Sequence, residues 1–201
     1  VLSWLVVAPI IQADDTKEEL VRKFNSALRA SNAASAISAA DQLIKDHPKD
    51  ATGLLCRAIA LAELKNDRMT AVEELTKAVK LSPTNAQAYQ LRGSEYFKLG
   101  KIDDSIRDFD KFLELKPEEE PGHWQRGICY YYAKEFEKGA KQFASYEKVD
   151  TNDVENAVWR YICMVPTVGR DKARQSMLKI GMDRRLPMMK VYDMFLGKAK
   201  P

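Results

Sequence analysis

Apolar and small residues recur along the chain at a step of 34 or 35 positions. Within residues 86–119 the large apolar side chains fall three or four positions apart in two segments, and Leu99-Gly100-Lys101 separates these segments. Such spacing is typical of helices that bury one face, and the glycine marks a turn. Each unit therefore predicts two helices joined by a tight turn. Gly93 and Ser105 are the small residues at which the two helices can approach closely.

Four columns of equivalent positions carry this repeat: Ala71, Ser105, Gly139 and Ala173; Leu75, Phe109, Phe143 and Met177; Ala78, Phe112, Tyr146 and Ile180; and Arg57, Arg92, Arg126 and Arg160. A period of this size with helical spacing predicts an all-α solenoid of helix pairs. We place the solenoid at residues 14–187, with about five repeats at 16–50, 51–85, 86–119, 120–153 and 154–187. The repeat at 51–85 is one residue longer than the next, and we assign the extra residue to the turn Lys65-Asn66-Asp67.

The best-formed repeat carries the residues Tyr89, Arg92-Gly93, Tyr96, Gly100, Asp108-Phe109-Asp110, Leu115 and Pro117. This pattern resembles the tetratricopeptide repeat family, most strongly over residues 51–153. The resemblance implies a right-handed superhelix in which the first helix of each pair lines a concave groove and the second forms the convex back. Residues 154–197 also resemble, loosely, the tail of bacterial periplasmic repeat proteins that serve as adaptors for cell-wall enzymes. The repeat itself is a scaffold for many partners and does not name one.

The resemblance places an aromatic-rich surface in the groove, and we predict that it binds a protein or peptide through Phe97, Trp124, Ile128, Tyr131, Tyr132, Trp159 and Arg126. Aromatic residues dominate binding hot spots because they bury large areas while ordering few torsions. The expected ligand is an apolar or aromatic side chain of a peptide, or the face of a partner helix. In the alternative interpretation, the segment 187–196 folds back into the groove and the same aromatic residues belong to the core.

The arginines of the column differ in the residue expected to face them on the following helix: Glu74 for Arg57, Asp108 for Arg92 and Gln142 for Arg126. The two acidic partners predict structural ion pairs. With only a glutamine opposite, Arg126 is predicted to be freer to contact a ligand carboxylate. The family's carboxylate clamp needs Lys and Asn in the groove, where this chain has Gln90, Ser94, Trp124 and Ile128, so we do not expect that mode of binding.

Composition argues for binding rather than catalysis. The 201 residues carry 32 Lys and Arg against 29 Asp and Glu, and a net charge of +3 is too small for a dedicated nucleic-acid binder. The two histidines, His47 and His123, lie in different repeats, and the sequence has no cluster with metal-ligand spacing and no phosphate-binding glycine loop. We therefore expect no enzyme activity, no metal and no cofactor. Cys56, Cys129 and Cys163 are expected to be buried small residues.

An apolar run lies at the N-terminal end of the chain. The run from Leu2 to Ile11 is too short to span a bilayer, and with Ala13 it resembles the core and cleavage site of a signal peptide. We therefore predict residues 1–13 to be a partial signal peptide of a secreted or periplasmic protein with no membrane span in the mature chain. The alternative is a strand or helix that packs on the first repeat.

The C-terminal segment 188–201 predicts a helix that is apolar on most of its circumference. A terminal helix of a solenoid normally has a polar outer face. We infer a truncated end, and a second hypothesis follows in which this helix pairs with another copy to give a homo-oligomer. A third hypothesis is that the repeats belong to a larger enzyme.

Overall fold

The computed structural model describes residues 16–199, which form eleven α-helices and two short 3₁₀ helices. The α-helices are α1 (Lys17–Arg29), α2 (Ala33–Asp46), α3 (Thr52–Leu64), α4 (Arg68–Leu81), α5 (Ala86–Lys98), α6 (Ile102–Leu115), α7 (Trp124–Tyr132), α8 (Phe136–Ser145), α9 (Val154–Val168), α10 (Arg170–Gln175) and α11 (Met188–Phe195). The 3₁₀ helices are Pro117–Gly122 and Tyr146–Lys148. Successive helices pack on one another from α1 to α10, which confirms the predicted all-α solenoid. The predicted signal segment 1–13 lies outside the described residues.

The turn inside each helix pair places one residue in the left-handed region of backbone conformation. These residues recur with the repeat and are Ser31, Asn66, Gly100, Lys134 and Gly169, with φ between 52° and 82°. In most pairs the backbone N–H that follows bonds to a carbonyl five residues back, as Lys101 does to Tyr96. In the second pair Asp67 bonds instead to Leu61, six residues back. The turn at Lys65–Asp67 therefore holds the extra residue, as predicted.

Small residues allow the helices of a pair to pack closely. A Cβ atom built on Gly93 would lie 2.8 Å from the ring of Phe109, and one built on Gly127 would lie 2.8 Å from the ring of Phe143. Both rings are almost fully buried. The glycines therefore make room for the large apolar residue of the second helix, and the column of large residues forms the core. Cys56, Cys129 and Cys163 are also buried, as predicted.

The last helices depart from the repeat. Helix α9 continues through Pro166 and ends at Val168. Helix α10 is short, and residues 176–187 contain no helix. Helix α11 then packs against α9, where Tyr192 is buried and its hydroxyl donates to the carbonyl oxygen of Leu178 at 2.8 Å. Most of the apolar residues of α11 are thus partly buried within the chain.

Candidate partner-binding surface

The predicted groove residues lie on α5, α7 and α9, the first helices of three successive pairs. Their exposure differs widely: Tyr132 is 57% exposed, Trp124 is 50% exposed, and Phe97, Tyr131 and Trp159 are half-buried. The surface therefore has an exposed part that a partner can contact and a buried part that supports it.

Four of these side chains form a continuous surface, which we call the aromatic band: Phe97, Tyr131, Tyr132 and Trp159. The ring of Tyr131 lies edge-on to Tyr132 at 5.6 Å and to Trp159 at 5.8 Å, measured between centroids. Phe97 lies 6.3 Å from Tyr132 and extends the band onto α5. These are favourable distances for aromatic pairs, so the rings hold one another in place before any partner binds.

Ile128 belongs to the core. It is 9% exposed and packs in one buried cluster with Phe143 and Cys163, against which Phe97, Tyr131 and Trp159 also pack. The sequence predicted a ligand contact for Ile128, but helix α7 turns this side chain toward α8 and α9. Its role is to support the aromatic band from below.

Trp124 lies apart from the band and lines a separate opening, which we call the inter-repeat cavity. This cavity has a volume of about 720 Å³ and lies between the first turns of α5 and α7, the end of α6 and the 3₁₀ helix Pro117–Gly122. Its walls combine the apolar residues Phe112 and Leu115 with the amides of Gln87, Gln90 and Gln125. The repeat pattern does not predict this cavity, because it is assembled from two successive repeats and the irregular connection between them.

A chain of hydrogen bonds crosses the wall of the cavity. The Nδ1 atom of His123 accepts from the backbone N–H of Arg126 and caps α7, so the Nε2 atom carries the proton and donates to Gln90 at 2.7 Å. Gln90 donates in turn to Oε1 of Gln125 at 3.0 Å, and Ser94 contacts the same oxygen at 3.4 Å. The chain therefore has a fixed direction and ends at the Nε2 amide group of Gln125.

His123 is held neutral by its surroundings. Its ring lies 4.6 Å from that of Phe109 and 5.4 Å from that of Phe112, between centroids. Burial against these rings, with a smaller contribution from the positive charge of Arg126, lowers the pKa of His123 to about 4. The imidazole is consequently uncharged at neutral pH, which is the state that the hydrogen-bond chain requires.

The arginine column makes the predicted ion pairs. Arg57 donates to the carboxylate of Glu74 at 2.6 and 3.1 Å, and Arg92 binds both oxygens of Asp108 at 2.7 Å. The hydrogen bond to Asp108 raises the pKa of Arg92 above its ordinary value. These arginines join the two helices of a pair, and their predicted structural role is confirmed.

Arg126 is not free to bind a ligand carboxylate. Its side chain is only 11% exposed and donates to Gln142 at 2.6 and 2.9 Å, to Asp110 at 2.9 Å and to Glu120 at 3.0 Å. Gln142 does face Arg126, as the repeat pattern predicted, but two acidic residues bind it as well. Asp110 comes from the preceding helix pair and Glu120 from the 3₁₀ helix. Neither lies at the position on the following helix where the repeat pattern predicts the partner of each arginine.

Lys98, which follows Phe97 on α5, is also paired. The Nζ atom of Lys98 lies 2.7 Å from Glu95 and 3.2 Å from Glu63. Lys98 and Arg126 thus both have acidic partners within the chain. Within residues 16–199 no group of His, Cys, Asp or Glu is arranged to hold a metal ion. None of the helices described there is long and apolar enough to cross a membrane.

The fold defines an all-α helical-repeat protein with exposed aromatic residues on its first helices. Two family models, both described as tetratricopeptide repeat, match residues 21–86 and 86–119. The chain belongs to the tetratricopeptide repeat family, as the sequence resemblance predicted.

Curated relatives match part of the chain. The Protein SGT1 homolog of Bos taurus is 31% identical over 116 residues, which are 58% of this chain and 34% of that protein. The Hsp70-Hsp90 organizing protein of Triticum aestivum is 29% identical over 85 residues, which are 42% of this chain and 15% of that protein. The chain thus spans about a third or less of the length of these relatives.

Solved structures share the fold at low sequence identity. A crystal structure of MamA has a TM-score of 0.70 and 17% identity, with 89% of this chain and 91% of that chain covered. YrrB, described as a TPR protein with an unusual peptide-binding site, has a TM-score of 0.70 and 15% identity, with coverage of 92% and 89%. A repeat domain of RPAP3 bound to an HSP90 peptide has a TM-score of 0.53 and 24% identity, with coverage of 57% and 92%.

Proposed function

We propose that this protein is an interaction scaffold that binds a peptide or a partner helix on the face formed by its first helices. The observation that carries the proposal is the aromatic band, where Tyr132 is 57% exposed on top of rings that are already packed. A rigid, exposed aromatic group gains buried area on binding and loses little conformational entropy. Relatives whose names denote Hsp70-Hsp90 organization, and a structural neighbour that binds an HSP90 peptide, support the same class of function.

The partner that fits this face is apolar or uncharged where it meets the band. Lys98 and Arg126 each have acidic partners within the chain, so a free carboxylate would have to displace an existing ion pair. The packing of α11 on α9 leaves Tyr132 exposed, which favours ligand contact over an intramolecular role for the outer edge of the band.

The test is affinity purification from the source cells with three baits: the wild-type protein, the double variant Trp124→Ala/Tyr132→Ala, and Met69→Ala. Met69 is 50% exposed on α4, a second helix, and serves as the matched control. We expect a partner that the wild type and the control retain and the double variant loses. Binding measured between the purified partner and each purified bait should show the same difference. Equal retention by all three baits would rule out the proposed face.

The proposed role is binding without catalysis. His123 caps α7 and is neutral, and His47 ends α2, so the two histidines are tied to helix ends in different repeats. Self-association through the C-terminal helix is a second candidate, favoured by the exposure of Leu186 (97%) next to α11. Sedimentation between about 1 and 100 µM protein distinguishes the two, since self-association raises the mass at the higher concentration.

We also propose that the protein is exported from the cytoplasm. Support comes from the apolar run Leu2–Ile11 followed by Ala13. The intact mass of the protein isolated from its source tests this, and we expect the mature chain to start at Asp14. A chain that retains residues 1–13 would contradict export by this signal.

A further inference from the structure

We propose that the inter-repeat cavity is a second binding subsite, which receives an uncharged, extended peptide segment. The segment places a large apolar side chain against Phe112 and Trp124, and one of its backbone carbonyl oxygens accepts a hydrogen bond from the side-chain amide of Gln125. This inference rests on the proposed function, because it adds a specific contact to the same partner-binding face.

The size and lining of the cavity support an apolar anchor. Its volume of about 720 Å³ falls within the roughly 300–1,000 Å³ of typical ligand sites. Trp124 stands at this opening with 50% of its surface exposed, and Phe112 and Leu115 add apolar wall. A single inserted side chain would cover these surfaces and leave room for the adjoining backbone.

The hydrogen-bond chain determines which hydrogen-bonding group the ligand must supply. His123 donates to Gln90, Gln90 donates to Gln125, and Oε1 of Gln125 is consequently occupied as an acceptor. The Nε2 group of Gln125 remains as a donor at the cavity wall. A ligand therefore needs an acceptor at this point, and the backbone carbonyl of an extended peptide supplies one beside each side chain.

The charges around the cavity exclude a strongly ionic ligand. Lys116 and Glu119 are the charged residues of the wall, and their charges are opposite. Lys116 also lies 3.5 Å from Glu118, so its charge is already compensated. Burial keeps His123 uncharged at neutral pH. An acidic segment would find no unpaired cation here, and a basic one would meet the donor group of Gln125.

Two substitutions test the subsite directly. Gln125→Glu keeps the shape and the acceptor oxygen for Gln90 but replaces the donor group with a carboxylate oxygen, which repels a carbonyl. Trp124→Ala removes the apolar platform. Both side chains lie at the surface of the cavity, so we expect both variants to retain the thermal midpoint and helix content of the wild type. Met69→Ala on α4 and Tyr132→Ala in the aromatic band are the controls.

The probe is a displayed library of random twelve-residue peptides, selected on the immobilised wild-type protein and followed by titration of synthetic, end-capped versions. We expect selected sequences to be rich in Phe, Trp, Leu or Met and poor in Asp and Glu. Their affinity should fall at least about tenfold in Gln125→Glu and in Trp124→Ala, and stay unchanged in Met69→Ala.

The outcomes separate the subsite from the general function. Peptides that bind Gln125→Glu and Trp124→Ala as tightly as the wild type would overturn the subsite. If those peptides lose affinity in Tyr132→Ala instead, binding occurs on the aromatic band and the proposed function stands without the cavity. A library that yields no binder, or only acidic binders, would also overturn the subsite.

Discussion

Ser105 donates a 2.7 Å hydrogen bond to the backbone carbonyl oxygen of Gly93, and this bond joins α5 to α6. Ser105 is fully buried, and the carbonyl it contacts belongs to the residue whose missing side chain makes space for Phe109. Two small residues thus bring the helices together, and one of them also satisfies its own polar group. The repeat relies on this close approach because the large apolar residue of each second helix, here Phe109, packs in a space that both helices enclose.

Replacing Gly93 by alanine is expected to destabilise the fold by about 1–2 kcal/mol. The added methyl group would lie 2.8 Å from the ring of Phe109, which cannot move away because it is fully buried. Overpacking of this kind costs about 1–3 kcal/mol, and the better helix propensity of alanine recovers at most about 1 kcal/mol. Urea denaturation measures the difference. Gly122→Ala is the control, since its methyl group would meet nothing nearer than Val149 at 3.8 Å.

Removal of Arg92 should be far more harmful than removal of an exposed cation. Asp108 has a 7% exposed side chain and receives two hydrogen bonds from Arg92, so Arg92→Ala leaves a buried carboxylate unpaired. We expect a loss of about 3–5 kcal/mol. The matched control is Lys111→Ala, which breaks the exposed pair with Glu114 and should cost less than about 1 kcal/mol. Similar losses in the two variants would contradict a structural role for the arginine column.

Mild acid should weaken the fold through His123. The pKa of this histidine is about 4 in the folded protein because the ring is buried, against an ordinary value of 6.5. The unfolded chain therefore binds a proton first as the pH falls. The contribution of neutral His123 to the free energy of unfolding is complete above pH 6.5 and is lost progressively between pH 6.5 and 4. Between pH 7 and pH 5 we expect a decrease of about 2 kcal/mol in the free energy of unfolding.

The variant His123→Asn isolates this effect, because asparagine also caps helices but does not titrate in this range. Denaturation curves at several pH values give the free energy of unfolding as a function of pH. This free energy should change less with pH in the variant than in the wild type, whatever the stability of the variant at pH 7. The charged groups that contribute at this site are Arg126 and Asp110, and both are present in the variant. An unchanged slope would show that carboxylates elsewhere dominate the response to acid.

The repeat pattern predicted those features that depend on one position in each unit. Gly93 with Ser105, and Arg92 with Asp108, recur at fixed offsets, so the approach of the helices and the ion pairs could be read from spacing. Arg126 shows where this stops, since its partner Glu120 lies in an irregular connection between repeats. Asp110 could have been found, because Asp41 lies at the equivalent offset from Arg57 and binds it in the same way.

The candidate site was harder to predict because exposure changes within a single helix. Ile128 and Tyr132 are four residues apart on α7, yet one is 9% exposed and the other 57%. A four-residue step advances about 40° around a helix, enough to pass from the buried face to its edge. Spacing alone could not place that edge. The inter-repeat cavity depends in addition on the 3₁₀ helix Pro117–Gly122, which no periodic pattern describes.

Substitutions on α7 should therefore separate stability from binding. Ile128→Ala removes a core side chain packed with Phe143 and Cys163, and we expect it to lower the free energy of unfolding by about 2–4 kcal/mol. Tyr132→Ala removes an exposed ring and should change stability by less than about 1 kcal/mol, while weakening partner binding by about tenfold or more. Thermal denaturation and titration with the purified partner measure the two effects. A Tyr132→Ala protein as unstable as Ile128→Ala would show that the aromatic band belongs to the core. The ring of Tyr132 would then be needed for folding, and the band would not be a surface that is free to bind a partner.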